Sequence, residues 1–499
     1  IAYNYSEYTD PRSSSGEGVD GRMREYQTTT VRRYSNHIIR FNKMFGKHSI
    51  NALAAYEFND YWAKATDMYG IGFIPGFEVL DVVAKPEKVG GSISEWAVQS
   101  LLFNANYAFD NKYLAQLSFL RDGASNFGDN AKYGNFFSIS AGWNINREKW
   151  FHASWVDVLK LRISYGSVGN RPSSLYPQYD LYSVSSKYNE ESGALISQLG
   201  NKDLTWEKTY TTGTGVDVAF FDNRLRASFD WYNKYTSNIL YAVPISGLVG
   251  VTSMWKNIGE MQNQGWEIGI NYNIRTGQVQ HGFSLNLSDS YNKVLKFPGH
   301  EQITKVDELE RIIREGVPLN SYYGYKTDGY FQSYEEIEAS AIPVGGKVQP
   351  GDVKFVDRNN DGVIDSKDRF ILGNAFPRYT FGFTYNLSWK GLDFSMFWQG
   401  VGKRDMMLRG EFIEPFHENY SYNIFKHQLD FWTPTNTDAT WPRLAAPGSD
   451  SNKNNYKTGS DMQILDGKYM RLKNLVIGYT LPKSWSKKVG MEKLRVYVS

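Results

Sequence analysis

The sequence predicts an all-β fold: a transmembrane antiparallel β-barrel with long extracellular loops. Three observations predict it. Apolar and polar residues alternate with period two through most of the chain. Short and long connections alternate between the strands so defined. The 499 residues carry 35 Tyr, 29 Phe, 14 Trp and 45 Gly, a richer aromatic content than a soluble enzyme of this size usually has. No apolar run reaches the ~18 residues that a membrane-spanning helix needs, so any crossing is made by strands.

The strands follow in order. Phe137, Ile139, Ala141, Trp143 and Ile145 alternate with Ser138, Ser140, Gly142, Asn144 and Asn146. Leu159, Leu161, Ile163 and Tyr165 alternate with Lys160, Arg162 and Ser164. Leu225, Ala227, Phe229 and Trp231 alternate with Arg224, Arg226, Ser228 and Asp230, and Phe283, Leu285 and Leu287 with Ser284, Asn286 and Ser288. Segments of about ten residues with one apolar and one strongly polar face fit a barrel wall between lipid and a wet interior.

Asp110-Asn111-Lys112, Asp222-Asn223 and Lys390-Gly391 read as tight hairpin turns. The connections 42–47, 147–157, 276–281 and 483–492 are also short. Those at 62–95, 169–204, 294–377 and 403–469 are long and rich in Gly, Ser, Asn and Tyr, with middling ones at 122–135 and 239–258 on the long side. A sandwich or propeller would space its strands more evenly. About fourteen crossings are expected from Tyr26 to Ser499. Residues 1–25 are expected to be an extracellular loop fragment, and 26–499 a partial barrel. Parity places 294–377 outside the cell, with Glu335–Glu338 as helical loop decoration. The chain opens on Ile1 and closes on Arg495–Ser499 in what reads as mid-strand, so an internal piece of a longer protein is expected.

Composition excludes several functions. A formal charge of +2 without a long basic run implies no nucleic-acid partner. The absence of cysteine removes disulfides, thiolate metal sites and Cys nucleophiles, and fits an oxidising or surface location. The seven His show no zinc spacing, and neither GxSxG nor a P-loop occurs. Gly16–Gly21 matches GxGxxG but lacks a βαβ setting, and reads as loop. Acid pairs such as Glu190-Glu191 read as solvated surface. No enzyme chemistry is indicated.

One motif carries metal chemistry. In Gly351–Arg369, the residues Asp357, Asn359, Asp361, Gly362, Val363, Asp365 and Asp368 fit positions 1, 3, 5, 6, 7, 9 and 12 of a calcium loop. Calcium takes several hard oxygen ligands, and a glycine at the sixth position allows the sharp bend. Asp357, Asn359, Asp361, Asp365 and Asp368 would offer side-chain oxygens, and Val363 its carbonyl. Ca2+ is expected as a structural ion that stiffens an exposed loop, calcium being preferred over magnesium on ligand count alone. Strand-like sequence on both sides makes this a free-standing loop, not a helix-flanked one. The alternative is an Asn/Asp/Gly turn without an ion.

The loop aromatics Trp62, Tyr69, Phe73, Trp96, Tyr176, Tyr179, Tyr182, Trp255, Tyr322, Tyr323, Tyr325, Tyr330, Phe331, Trp432 and Trp441 could stack on sugars or grip a partner. They could equally be membrane-girdle or loop-packing residues, the reading preferred for any single one.

Several blocks in order resemble the SusC/RagA family of TonB-linked outer-membrane transporters of Bacteroidetes. They are Ser118–Gly128, Lys160–Asn170, Leu204–Lys208, Asn257–Glu267, Tyr323–Phe331, Gly351–Asp357 with its acidic loop, and Tyr469–Tyr479. The resemblance covers nearly the whole chain. It implies a 22-stranded barrel with an internal plug, this chain covering strands 8 to 21. The plug and the TonB-contact segment would lie upstream. It also implies a SusD-like lipoprotein over the outer mouth, a dimer of such pairs, an outer-membrane location, and import of an oligosaccharide or peptide cargo whose binding residues the sequence does not reveal. A passive porin or structural barrel is the alternative reading. A soluble β-rich lectin or enzyme would leave the apolar strand faces uncovered.

Overall fold

The computed structural model describes residues 2–13, 17–188, 191–298, 302–306, 309–414 and 424–499. Gly16 of the GxGxxG match and Glu190 of the acidic pair lie outside the described residues, as do parts of the connections 294–377 and 403–469.

Fifteen strands form one sheet in strict sequence order. They are β1 (Ala2–Thr9), β2 (Arg22–Phe45), β3 (His48–Ile71), β4 (Lys85–Phe109), β5 (Tyr113–Ala124), β6 (Tyr133–Asn144), β7 (Val156–Asn170), β8 (Glu207–Phe220), β9 (Leu225–Ser237), β10 (Glu260–Thr276), β11 (Val279–Lys296), β12 (Arg378–Trp389), β13 (Leu392–Lys403), β14 (Tyr469–Thr480) and β15 (Arg495–Val498). From Tyr26 onward this is the expected fourteen crossings. Two differences stand out. Ala2–Thr9, inside the segment 1–25 expected as loop, is a strand paired antiparallel along Arg22–Thr29. The expected connection 62–95 shrinks to 72–84, because β3 and β4 stay paired from His48↔Phe109 to Ile71↔Lys85. Strands of 24 and 25 residues far exceed the ~10 that cross a bilayer. Continued pairing satisfies backbone groups that a long loop would leave to water.

The chain divides into two compact units. The first comprises residues 1–143, 163–211 and 236–258; the second comprises 144–162, 212–235 and 259–499. In the first, β1 to β6 pair antiparallel, and the alternation read from sequence becomes two faces. Phe103 stands opposite Phe119, which stands opposite Phe137; Ala105 stands opposite Leu117, which stands opposite Ile139. Phe103, Leu117, Phe119, Phe137 and Ile139 are all exposed. The other face is polar: the Asn104 amide donates to Ser118 Oγ at 2.6 Å. A bare apolar row on one face of a sheet requires a cover, and lipid supplies one. Asp110 and Asn111 both adopt positive φ (52° each), which closes the three-residue turn Asp110-Asn111-Lys112 between Phe109 and Tyr113.

The second unit repeats the design in β10 to β15. On β14, Lys473 is skipped between the pairs Phe397↔Asn474 and Trp398↔Leu472. This bulge keeps Leu472 on the exposed apolar face with Leu475, Ile477 and Tyr479. The long connection after β11 folds into small sheets and a short helix, Tyr334–Glu338, as expected for loop decoration.

Candidate functional site: an acidic loop and an aromatic cleft

The acidic loop hangs between two pieces of strand, Val353–Phe355 and Arg369–Gly373, not between helices. Val353, Phe355 and Ile364 form a buried cluster that anchors it. Gly362 has φ +84°, and a Cβ there would meet nothing within 4 Å; it is the backbone angle that calls for glycine. Side chains then hold the bend. Asp357 accepts from the N–H groups of Asn360 (2.7 Å) and Gly362 (2.9 Å). Asn359 accepts from Asp361 N–H at 3.1 Å, and Asp361 from Val363 N–H at 3.2 Å. Asp365 accepts from Lys367 N–H at 2.7 Å and caps the turn Ser366–Asp368. Asp368 is fully buried and accepts from Arg358 N–H (3.0 Å) and Asp365 N–H (2.8 Å).

The six residues therefore share one loop, and their oxygen chemistry fits a hard cation. An ionised carboxylate has about four acceptor sites, so these hydrogen bonds do not exhaust them. Their aim is another matter. Among the described residues, no three acidic or histidine side chains gather closely enough to hold an ion. The nearest cation is the loop's own: Lys367 Nζ lies 3.4 Å from Asp365 and 3.8 Å from Asp361.

Next to the loop, side chains far apart in sequence build a buried polar knot. Asp352, fully buried, accepts from Ser451 Oγ (2.6 Å), the Asn455 amide (3.0 Å) and Gln349 N–H (2.8 Å). Asn455 Oδ1 accepts from Val353 N–H at 2.9 Å, and the Asn454 amide donates to Val353 O at 2.9 Å. Burial pushes the Asp352 carboxyl above its usual range, against the lowering effect of its donors. Tyr330 donates to Thr440 O at 2.7 Å; burial, then the Asp430 charge, push its hydroxyl up to about 12, so it remains a neutral donor. The knot joins the segment around 325–370 to that around 430–463. None of its Asn or Ser residues is marked by local sequence.

The loop aromatics divide. Phe73, Tyr322, Tyr323, Phe331 and Trp432 are buried packing residues. Trp62, Trp96, Tyr176 and Tyr179, together with Arg33, Asp60, Glu95 and Gln178, line a cleft of about 490 Å³ in the first unit. Its walls are set by long-range bonds. Ala97 N–H donates to Ser125 Oγ (3.0 Å), the Gln178 amide to Ser125 O (2.9 Å), and Glu95 N–H to Tyr176 Oη (2.8 Å). Tyr61 stacks on Trp96 with ring centroids 5.8 Å apart and planes within 9°. Sequence reading named Trp62, Trp96, Tyr176 and Tyr179 but missed Tyr61, Gln178, Arg33 and Asp60; Arg33 and Asp60 meet through strand register, and Gln178 through its bond to Ser125.

Comparison with known proteins places this architecture. The family model described as "TonB dependent receptor-like, beta-barrel" matches residues 1–499. TonB-dependent receptor P3 of Formosa agariphila is 32% identical over 97% of this chain and 49% of its own length. TonB-dependent receptor SusC of Bacteroides thetaiotaomicron is 26% identical over 76% of this chain and 37% of its own. The solved RagAB peptide transporter superposes with a TM-score of 0.84 over 99% of this chain and 54% of that one, at 22% identity, a likeness of fold. The chain spans about half the length of the curated relatives it matches. With its ordered up-and-down strands and bare apolar face, the chain belongs to the TonB-dependent receptor-like β-barrel family, a family of outer-membrane proteins.

Proposed function

We propose that the whole protein imports a large polar nutrient, an oligosaccharide or peptide, across the outer membrane. The observation that carries the reading is the full-length family match on strands whose one face is polar and whose other is bare and apolar. On this reading an upstream segment contacts the TonB complex, a SusD-like lipoprotein covers the outer mouth, and two such pairs associate. The residues 294–377 face the cell exterior. The protein performs no covalent chemistry; it binds, admits and releases. The test is uptake by cells carrying the intact gene. Uptake of the nutrient is expected to require both this protein and TonB, and a SusD-like lipoprotein is expected to co-purify in mild detergent. Uptake that persists without TonB would instead establish the passive porin.

The acidic loop, on the same reading, takes a structural Ca2+ through Asp357, Asn359, Asp361, Asp365, Asp368 and the Val363 carbonyl. The ion would supply a fixed positive centre that stiffens the loop and takes over from the Lys367 ammonium. Calorimetric titration of the chelator-stripped intact protein is expected to show Ca2+ binding that Asp361→Ala weakens at least about tenfold, each lost carboxylate oxygen being a large share of such a site. Absence of heat with Ca2+, or equal binding to the variant, would leave the loop as an ion-free turn.

A further inference from the structure

We infer that the outer end of the bare apolar face of β4, β5 and β6 binds the phosphate-bearing headgroup of an outer-leaflet lipid, with Arg121 as its anchor. The orientation is that of the import reading, on which this inference rests, with the tight turns on the periplasmic side.

Register draws the boundary. Phe103, Phe119 and Phe137 stand side by side in the row given to lipid. The next outward-facing row is Leu101, Arg121 and Asn135, with Tyr56 opposite Leu101. Arg121 is the eighth residue after Tyr113, which opens β5 at the turn. At ~3.3 Å per residue and a tilt of ~40°, it stands about 20 Å above Tyr113, near the top of the ~25 Å apolar band of such barrels. A guanidinium at that height reaches the headgroups along its own methylene stem.

The neighbours hold Arg121 without consuming its donors. Tyr133 packs on the bare backbone of Gly123, where a Cβ would come within 2.6 Å of its ring. Gln99 Nε2 donates to Tyr133 Oη at 2.6 Å, so the tyrosine proton is left to donate. The Arg121 guanidinium lies 5.0 Å from the Tyr133 ring centroid. That contact uses the face of the guanidinium and leaves its in-plane N–H groups, which bind phosphate in pairs. Arg121 is exposed, and among the described residues it forms no ion pair. The exposed Asn135, paired with it in register, brings a further amide donor.

Charge sets the sign of the ligand. Leu101, Phe103, Gln99, Tyr133 and Phe137, which surround Arg121 on the outward face, are all uncharged. Asp122 points to the opposite face by alternation. Higher on the outward face, Asp60 stands opposite Ala97 and is held by Arg33, whose Nε donates to Asp60 Oδ1 at 3.0 Å. Glu95 lies one outward step beyond Ala97. Arg32 and Arg171 lie against Trp96, on the opposite face of β4, at 5.8 Å and 4.8 Å from its centroid. Arg121 is therefore an unopposed cation where the apolar wall ends, and an anionic headgroup above the acyl chains complements it.

The test uses the intact protein, stripped of lipid in mild non-ionic detergent, with native mass spectrometry after one lipid is added at a time. The lipids are monophosphoryl lipid A, the same lipid A with its phosphate removed, and phosphatidylglycerol. Retention of phosphorylated over dephosphorylated lipid A by at least fivefold is expected. The preference should vanish in Arg121→Gln and persist in Arg33→Gln, with both variants melting as the wild type does. If Arg121→Gln fails to fold, Arg121→Lys takes its place and should lower the preference at least twofold, because an ammonium cannot bind phosphate in a bidentate fork. Equal retention of the two lipid A forms, or an unchanged preference in a folded Arg121 variant, would overturn the inference. So would tighter retention of phosphatidylglycerol than of phosphorylated lipid A, or displacement of the lipid by inorganic phosphate. TonB-dependent uptake is scored separately in cells, so its failure refutes the import reading, whereas a lost phosphate preference refutes the lipid site.

Discussion

Replacing Asp352 by Ala is expected to unfasten the two long loop segments from each other while leaving the strands intact. The carboxylate is fully buried and accepts from Ser451, Asn455 and Gln349 N–H, with Arg443 Nε 3.8 Å away. Its removal leaves three buried donors without their acceptor. Removing one partner of such a buried network costs about 3–5 kcal/mol. Hydrogen exchange of the intact protein reads the effect. Amides in 349–357 and 443–463 should lose protection, whereas β10 to β14 should keep theirs. Unchanged protection in those segments would show that the knot does not join them. A pH series adds a second arm. Because burial raises the folded-state pKa of Asp352 above its ordinary value, its favourable contribution is complete below that ordinary value and is lost as pH rises through the raised one. The stability gap between wild type and Asp352→Asn should therefore shift against the wild type as pH rises, then level off. A gap that moves the other way would mean that the donors outweigh the burial.

Phe127→Ala is expected to be nearly as damaging in the first unit. Phe127 is fully buried in a cluster with Ala124, Phe136 and Trp206. Its ring centroid lies 4.7 Å from that of Trp206, and Phe136 meets Trp206 edge-on at 5.5 Å. The site has little room to collapse, because Phe136 is wedged against the bare backbones of Gly134 and Gly169. A Cβ on Gly134 or Gly169 would come within 2.5 Å or 2.1 Å of that ring. A buried Phe→Ala change that leaves its cavity open costs about 3–5 kcal/mol. The connection between β5 and β6 should open, and the segment that brings Leu204 and Trp206 into the core should detach. Exchange protection at 124–131 and 200–206, or the accessibility of Trp206 to a collisional quencher, measures this. A loss below about 1 kcal/mol would mean that the cluster repacks. Ser125 lies two residues from Phe127 and fixes both Ala97 and Gln178, so the same variant should loosen the aromatic cleft.

The two units show what each level of information decides. Sequence by itself determined the strands, their order and most of their turns. Side-chain alternation is a local property, written residue by residue, and it survives as the two faces of β4, β5 and β6. Asp110-Asn111 and Lys390-Gly391 announce their turns because few residue types accept positive φ. The acidic loop was legible for the same reason: the hydrogen bonds that the side chains of Asp357 to Asp368 accept link residues no more than ten apart, the widest from Arg358 to Asp368. Tertiary structure alone decided the rest. Ala2–Thr9 became a strand because β2 runs on past the membrane-crossing length and offers an edge, a fact of the partner and not of residues 1–25. Whether a loop aromatic is core or cleft depended on what register set beside it: Trp432 is buried against Gly351, whereas Trp62 lines an open wall with Gln178. Asp352 and Asn455 are 103 residues apart and carry no local mark of their pairing. Polar side chains in loops are ordinary in sequence; burial gives their bonds weight, and only the folded chain says which of them are buried.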